Sequence, residues 1–148
     1  MDNRYLYKAK RTDNGEWVYG SLITGVFFRV GNDIPYILCP EKADYDCFED
    51  FKEDNGIFEV DPSTICQCTG LVDKNGEPIF EGDIVKTNQY GKDDGQGHNG
   101  VGADKFCVVF DCGAYRLEHK WRRFNFVDGK HCEGIGNKFD NPELLEVK

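Results

Sequence analysis

The sequence has no apolar run near the 18 or more residues that a membrane-spanning helix needs, so no transmembrane segment is expected. No apolar stretch follows Met1-Asp2-Asn3-Arg4 either, and no secretory leader is expected. The sequence lacks Gly-x-Ser-x-Gly, a phosphate-binding glycine loop and His-Glu-x-x-His, and its residues do not assemble into a complete set of catalytic roles. No enzyme activity and no catalytic residue is therefore expected. Positive charge is in short supply: 18 Lys and Arg against 27 Asp and Glu leave a net charge of −9, which argues against a general nucleic-acid coat.

Paired cysteine knuckles are also missing. The seven cysteines are Cys39, Cys47, Cys66, Cys68, Cys107, Cys112 and Cys132. Structural zinc sites use two Cys-x(2–4)-Cys pairs, whereas here the close pairs are Cys66-x-Cys68, Cys107-x4-Cys112 and the neighbours His131-Cys132. An odd count without a leader fits a reducing cytosol, in which thiols pack as small apolar groups. Neither a metal nor a cofactor is expected.

What is abundant points to β-structure. Of 148 residues 17 are glycine, 11 phenylalanine and 7 tyrosine. Rings suit a pleated surface and glycine suits turns. The length fits one domain or two small lobes. Tyr5–Lys10 and Glu16–Ile23 flank the turn Thr12-Asp13-Asn14-Gly15 and read as a hairpin. Val26–Val30 and Ile34–Leu38 read as a second pair around Gly31-Asn32-Asp33, with Pro35 at a strand start or sheet edge. Residues 40–56 read either as a helix from Pro40 to Asn55-Gly56 or as a solvated acidic loop.

Phe58–Ile65 is expected as a strand that enters a turn at Asp61-Pro62, and further strands are expected at Ile65–Thr69, Pro78–Phe80 and Ile84–Lys86. Five glycines among residues 88–104 predict a long mobile loop. After it come Lys105–Asp111, apolar enough for a strand covered on both faces, then Ala114–Glu118, Arg123–Val127 and Glu133–Phe139. The fold expected is all-β with at most one short helix. An N-terminal hairpin lobe over 1–64, with an acidic insertion at 41–56, precedes an SH3-like barrel over 65–148.

Charge is unevenly distributed. Residues 41–61 carry nine acids and two bases, residues 105–130 six bases and three acids. Arg116, Lys120, Trp121, Arg122 and Arg123 place four permanent cations and a ring within eight residues, a combination used on single-stranded nucleic acid. The competing reading is a solvated strand and turn that neutralises acidic surface, and it is the favoured one. Trp17 is a second candidate binding residue, because tryptophan is a common interface anchor. It shares a strand face with Tyr19 by period-2 spacing, and both are expected to pack.

Three ordered segments carry a resemblance. Asp13-Asn14-Gly15-Glu16-Trp17-Val18-Tyr19-Gly20, the stretch Glu59 to Lys86 with its Asp73-Lys74-Asn75-Gly76 and Glu81-Gly82-Asp83-Ile84-Val85, and Ile135-Gly136-Asn137-Lys138-Phe139-Asp140-Asn141-Pro142 together resemble the YopX family of small phage and prophage proteins. Residues 41–56 and 88–104 stand as insertions. Cys68 departs from the pattern at a position where such proteins often carry a ring. The resemblance implies a mainly β protein with an SH3-like part that forms homo-oligomers inside a bacterial host, and it implies no activity. The reading that follows is an interaction or assembly module in the host cytoplasm, with a host or phage protein as partner and no membrane. The alternative is a nucleic-acid-binding accessory protein using residues 116–123.

Overall fold

The computed structural model describes residues 5–24, 34–39, 56–87, 105–119, 122–126 and 128–145. The expected strand Val26–Val30, the helix-or-loop question at 40–55 and the glycine-rich loop at 88–104 lie outside these residues, as do Lys120 and Trp121. The chain divides into two compact units, residues 2–68 and 69–148. Among the described residues all helical structure is short 3-10 turn, at Pro62–Thr64 and Pro142–Leu145, and no helix is long and apolar enough to cross a membrane.

In the first unit β1 (Tyr7–Lys10) pairs with β2 (Trp17–Ile23), with Lys10 opposite Trp17 and Tyr7 opposite Gly20. The turn between them closes as its chemistry predicts: Asn14 Oδ1 accepts from the Glu16 amide at 3.0 Å, and Gly15 has φ +72°. β3 (Tyr36–Leu38) joins the other side of β2, and β4 (Ile57–Glu59) joins β3. Gly20 is required by proximity, because a Cβ there would stand 1.8 Å from the Leu38 carbonyl oxygen.

The strand expected to enter a turn at Asp61-Pro62 is β4, followed by a bridge at Val60 and the turn Pro62–Thr64. Asp61 caps that turn, accepting from the Ser63 amide and hydroxyl at 3.0 and 2.8 Å, and a proline just inside the cap favours the turn over continued pairing. Alternate residues face inward. Ala9, Val18, Ile37, Cys39, Phe58 and Val60 form the core of this unit, with Tyr7, Leu22 and Ile65 packed against it.

β5 (Cys66–Val72) begins beside β1, with Cys66 opposite Lys8, and its residues beyond Cys68 belong to the second unit, where β6 (Pro78–Phe80) is its neighbour. The second unit also contains β7 (Asp83–Lys86), β8 (Lys105–Asp111), β9 (Ala114–His119), β10 (Arg122–Asn125) and β11 (Glu133–Asn137). These five form an antiparallel sheet in the order β10-β9-β8-β7-β11, so the last strand folds back beside the first. Among the described residues the barrel expected here is not closed: β10 and β11 are the two edges of the sheet and do not pair with each other. After β10 the chain enters a turn closed by the Cys132 amide on the Gly129 carbonyl, and the Cys132 carbonyl accepts from the Lys74 amide instead of extending β10.

Val85, Phe106, Val108, Leu117, Ile79, Phe126 and Cys132 form the second core. Lys105–Asp111 is covered on both faces only at Phe106, Cys107 and Val108; further along, Phe110 is 55% exposed. Asp73 staples this unit. Its buried carboxylate accepts from the Asn75 and Glu77 amides at 2.8 and 3.0 Å and from the Gly134 amide, 61 residues away, at 3.1 Å. Burial alone would raise the Asp73 carboxyl, but the amides of Gly134, Glu77 and Asn75 outweigh it and hold the group below the usual carboxylate range.

Candidate functional site

Arg116 and Arg123 of the basic stretch lie on one face of β8, β9 and β10. In register, Val109 stands opposite Arg116, Cys107 opposite Glu118, Glu118 opposite Arg123, and Arg116 opposite Asn125. Pleating sends the intervening Phe106, Val108 and Leu117 to the core on the other side. Cys112 and Gly113, at φ +51° and +80°, form the tight reversal between β8 and β9. Two positive φ values in succession match the twist of a two-residue hairpin.

Alternation thus collects Asp111, Arg116, Glu118, Arg123 and Asn125 on one surface. Arg123 donates from Nε to Glu118 Oε2 and from Nη1 to Asp111 Oδ2, each at 2.8 Å. Arg116 donates from Nη1 to Asn125 Oδ1 and from Nε to the Asp111 carbonyl at 3.4 Å, with the Asp111 carboxylate 4.0 Å away. Partial loss of water pushes the Asp111 carboxyl up, but the Cys112 thiol and Arg123 outweigh it and lower the group. Glu118 and then Asp111 raise the Arg123 guanidinium. Two arginines and two carboxylates cancel. These four side chains are charged, held by hydrogen bonds and neutral in sum.

Of the sequence candidates, Arg116 and Arg123 are brought together here. Arg122 continues β10 opposite His119, and Lys120 and Trp121 lie outside the described residues. Trp17 belongs to the first unit, half-buried at the start of β2. Lys8 Nζ stands 4.8 Å and Lys10 Nζ 5.4 Å from its ring centre. Tyr19 shares that face but is 48% exposed, so the expected packing holds for Trp17 more than for Tyr19. At the turn end of β8 and β9, Phe110 and Tyr115 meet edge to face at 5.1 Å.

The cysteines take separate places. Cys107 is buried, and burial pushes its thiol up to about 11. Burial likewise raises Cys132, which is fully buried while its neighbour His131 is exposed. Cys112 is exposed at the hairpin turn. Among the described residues no three His, Cys, Asp or Glu side chains lie close enough together to share a metal ion.

One feature escaped the sequence reading. Arg11, Thr12, Asp13, Ile57, Phe58 and Glu59 line a cavity of about 90 Å³ in the first unit. Arg11 lies over the Phe58 ring, 4.3 Å from its centre, and its Nε and Nη2 grip the Asp13 carboxylate. The Thr12 amide donates to the Glu59 carbonyl at 3.1 Å, tying the turn to β4. Only the Arg11-x-Asp13 spacing ahead of Asn14-Gly15 hinted at it. Its other wall is 45 residues further along the chain, so proximity came from folding.

A family model described as YopX protein matches residues 6–146. Among solved structures, the chain is similar to the crystal structure of protein EF1440 from Enterococcus faecalis. The TM-score is 0.51 and the identity 24%, over 95% of this chain and 96% of that one. At that identity the likeness speaks for the fold. No curated protein matches the chain.

Proposed function

The chain belongs to the YopX family, and from that premise we propose that it works as a protein-interaction or assembly module that forms homo-oligomers in the cytoplasm of a bacterium carrying the phage or prophage that encodes it. The observation that supports this most is the neutral Arg–carboxylate face of β8, β9 and β10. A polyanion binds where cations are in excess, because neutralising phosphates releases counterions. Arg116 and Arg123 are instead already matched by Asp111, Glu118 and Asn125. The same hairpin presents the exposed Phe110 against Tyr115, and ringed surfaces with balanced charge are the kind that protein partners cover.

Two measurements on the full chain test the reading. Light scattering at micromolar concentration is expected to give a multiple of 16.9 kDa, and a lone particle of that mass would refute homo-oligomerisation. A gel shift with a single-stranded oligonucleotide at low salt is expected to show no retardation. Retardation that disappears in an Arg116→Glu/Arg123→Glu variant would overturn the assignment in favour of nucleic-acid binding.

A further inference from the structure

We propose that β10 is the strand through which two copies of the chain join, edge to edge and antiparallel, about a twofold axis at Phe124. This rests on the homo-oligomeric reading above and names the surface that serves it.

Backbone pairing fixes which groups are available. His119 and Arg122 close the β9–β10 hairpin with two residues between them, so they exchange amide and carbonyl, as do Leu117 and Phe124 further along. The amides and carbonyls of Arg123 and Asn125 therefore point away from β9, and none of them meets a partner among the described residues. The other sheet edges are blunted. At β11 the Gly134 amide donates to Asp73 and the Asn137 amide to Asn141 Oδ1, and a bulge between Gly134 and Gly136 breaks the register. At β6 Pro78 has no amide hydrogen, and the Phe80 amide donates to Asp83 Oδ2. At β4 the Glu59 carbonyl accepts from the Thr12 amide. Such plugs, bulges and prolines keep a sheet from pairing with another chain, and β10 has none of them. Its side chains do not guard the edge either. Glu118 and Asp111 draw Arg123 back over β9 and β8, and Arg116 draws Asn125 Oδ1 the same way.

Register selects a second copy as the occupant. With the axis at Phe124, Arg123 of each copy stands opposite Asn125 of the other. Each such pair exchanges amide and carbonyl, so every outward backbone group of β10 is used. A guanidinium then faces a neutral amide, whereas an axis at Arg123 would set two guanidiniums opposite each other, which destabilises a sheet. On the core side the two Phe124 rings stand opposite at a non-hydrogen-bonded position, where side chains come closest. Phe124 is half-buried and packs against the core, edge to face with Phe106 at 5.8 Å, so the second ring extends packing already present. Arg123-Phe124-Asn125 thus complements itself.

The test is light scattering and amide hydrogen exchange on the full chain, with the wild type beside Asn125→Pro and Asn125→Ala. Proline is tolerated where the amide points away from the sheet. Asn125→Pro is therefore expected to keep the β9–β10 ladder while it removes the outward donor and obstructs the second copy. Asn125→Ala loses the same side chain but keeps the amide. At micromolar concentration Asn125→Ala is expected to stay assembled and Asn125→Pro to give half the wild-type mass. The dissociation constant of Asn125→Pro should rise about thirtyfold, the size of two lost backbone hydrogen bonds. In the wild type the Arg123 amide is expected to exchange slowly when assembled and quickly on dilution to the monomer. Slow exchange at the Phe124 amide, which faces β9, reports that the variant is folded; should that protection be lost, the wild-type dilution series decides alone. A folded Asn125→Pro of wild-type mass, equal dissociation of both variants, or free exchange at Arg123 in the assembled wild type would each overturn the β10 interface and leave homo-oligomerisation standing. A wild type that scatters as a 16.9 kDa particle at every concentration would overturn both.

Discussion

The two units handle their strand-borne cations in different ways. In the first, Lys8 and Lys10 stand over the Trp17 ring, and Arg11 lies over Phe58 while it grips Asp13. In the second, Arg116 and Arg123 lie among Asp111, Glu118 and Asn125, cross-strand neighbours that present oxygens. Both patterns come from period-2 alternation across antiparallel pairs, and they differ in what stands opposite. A lysine opposite an aromatic is held by the ring quadrupole, which needs no fixed hydrogen-bond geometry. An arginine opposite a carboxylate is held in plane by its fork. The lysine–Trp17 contacts depend less on salt than the exposed arginine–carboxylate pairs, so the two should part company as ionic strength rises.

The sharpest way to probe the second unit's dependence on carboxylates is Asp73→Ala. It removes the acceptor of three amides and leaves the Gly134 amide in a partly buried site. A loss of about 2–3 kcal/mol in urea unfolding is expected, as for hydrogen bonds to a charged group. The Asp73 carboxyl is lowered in the folded chain relative to the ordinary 3.8, so its contribution is complete above that value and is lost as pH falls below it. Acid titration of the wild type should show this loss, and Asp73→Ala should flatten that part of the curve. An unchanged acid limb would remove Asp73 from the list of staples.

A smaller effect is expected in the first unit. Trp17→Leu keeps apolar bulk but removes the ring beneath Lys8 and Lys10, and should cost about 1 kcal/mol beyond its change in packing. A double-mutant cycle with Lys10→Met isolates that contribution, which should be the same at low and high salt. Smallest of all is Arg123→Gln in the second unit. Its partners are surface groups, so the melting temperature should fall slightly at low salt. The difference should vanish near 1 M NaCl, where the screening length shrinks to about 3 Å. If the Trp17 cycle were as salt-dependent as the Arg123 substitution, the contrast between the faces would fail.

Much of the second unit was readable from the chain. The apolar run Lys105–Asp111 marked β8, and Ala114–Glu118 and Arg123–Val127 marked β9 and β10 after it. The strand ends were harder to read. β10 stops at Asn125 rather than Val127, where a turn closed by local hydrogen bonds at Asp128 and Gly129 competes with pairing. The end of β4 was easier, because Asp61-Pro62 marks its turn. The basic stretch was legible as charge but not as a neutral face, since Asp111 and Asn125 meet Arg116 and Arg123 only through register.

The sequence by itself determined the class of fold, the family and the residues able to carry charge or a ring, because alternation, glycine turns and motif order are local properties of the chain. Only the tertiary structure decided which charges cancel, that the five-stranded sheet stays open, and that Arg11 and Asp13 face β4 across a cavity. Those outcomes depend on strand order and register between residues far apart in sequence, and a shift of one residue would have sent each side chain to the opposite face.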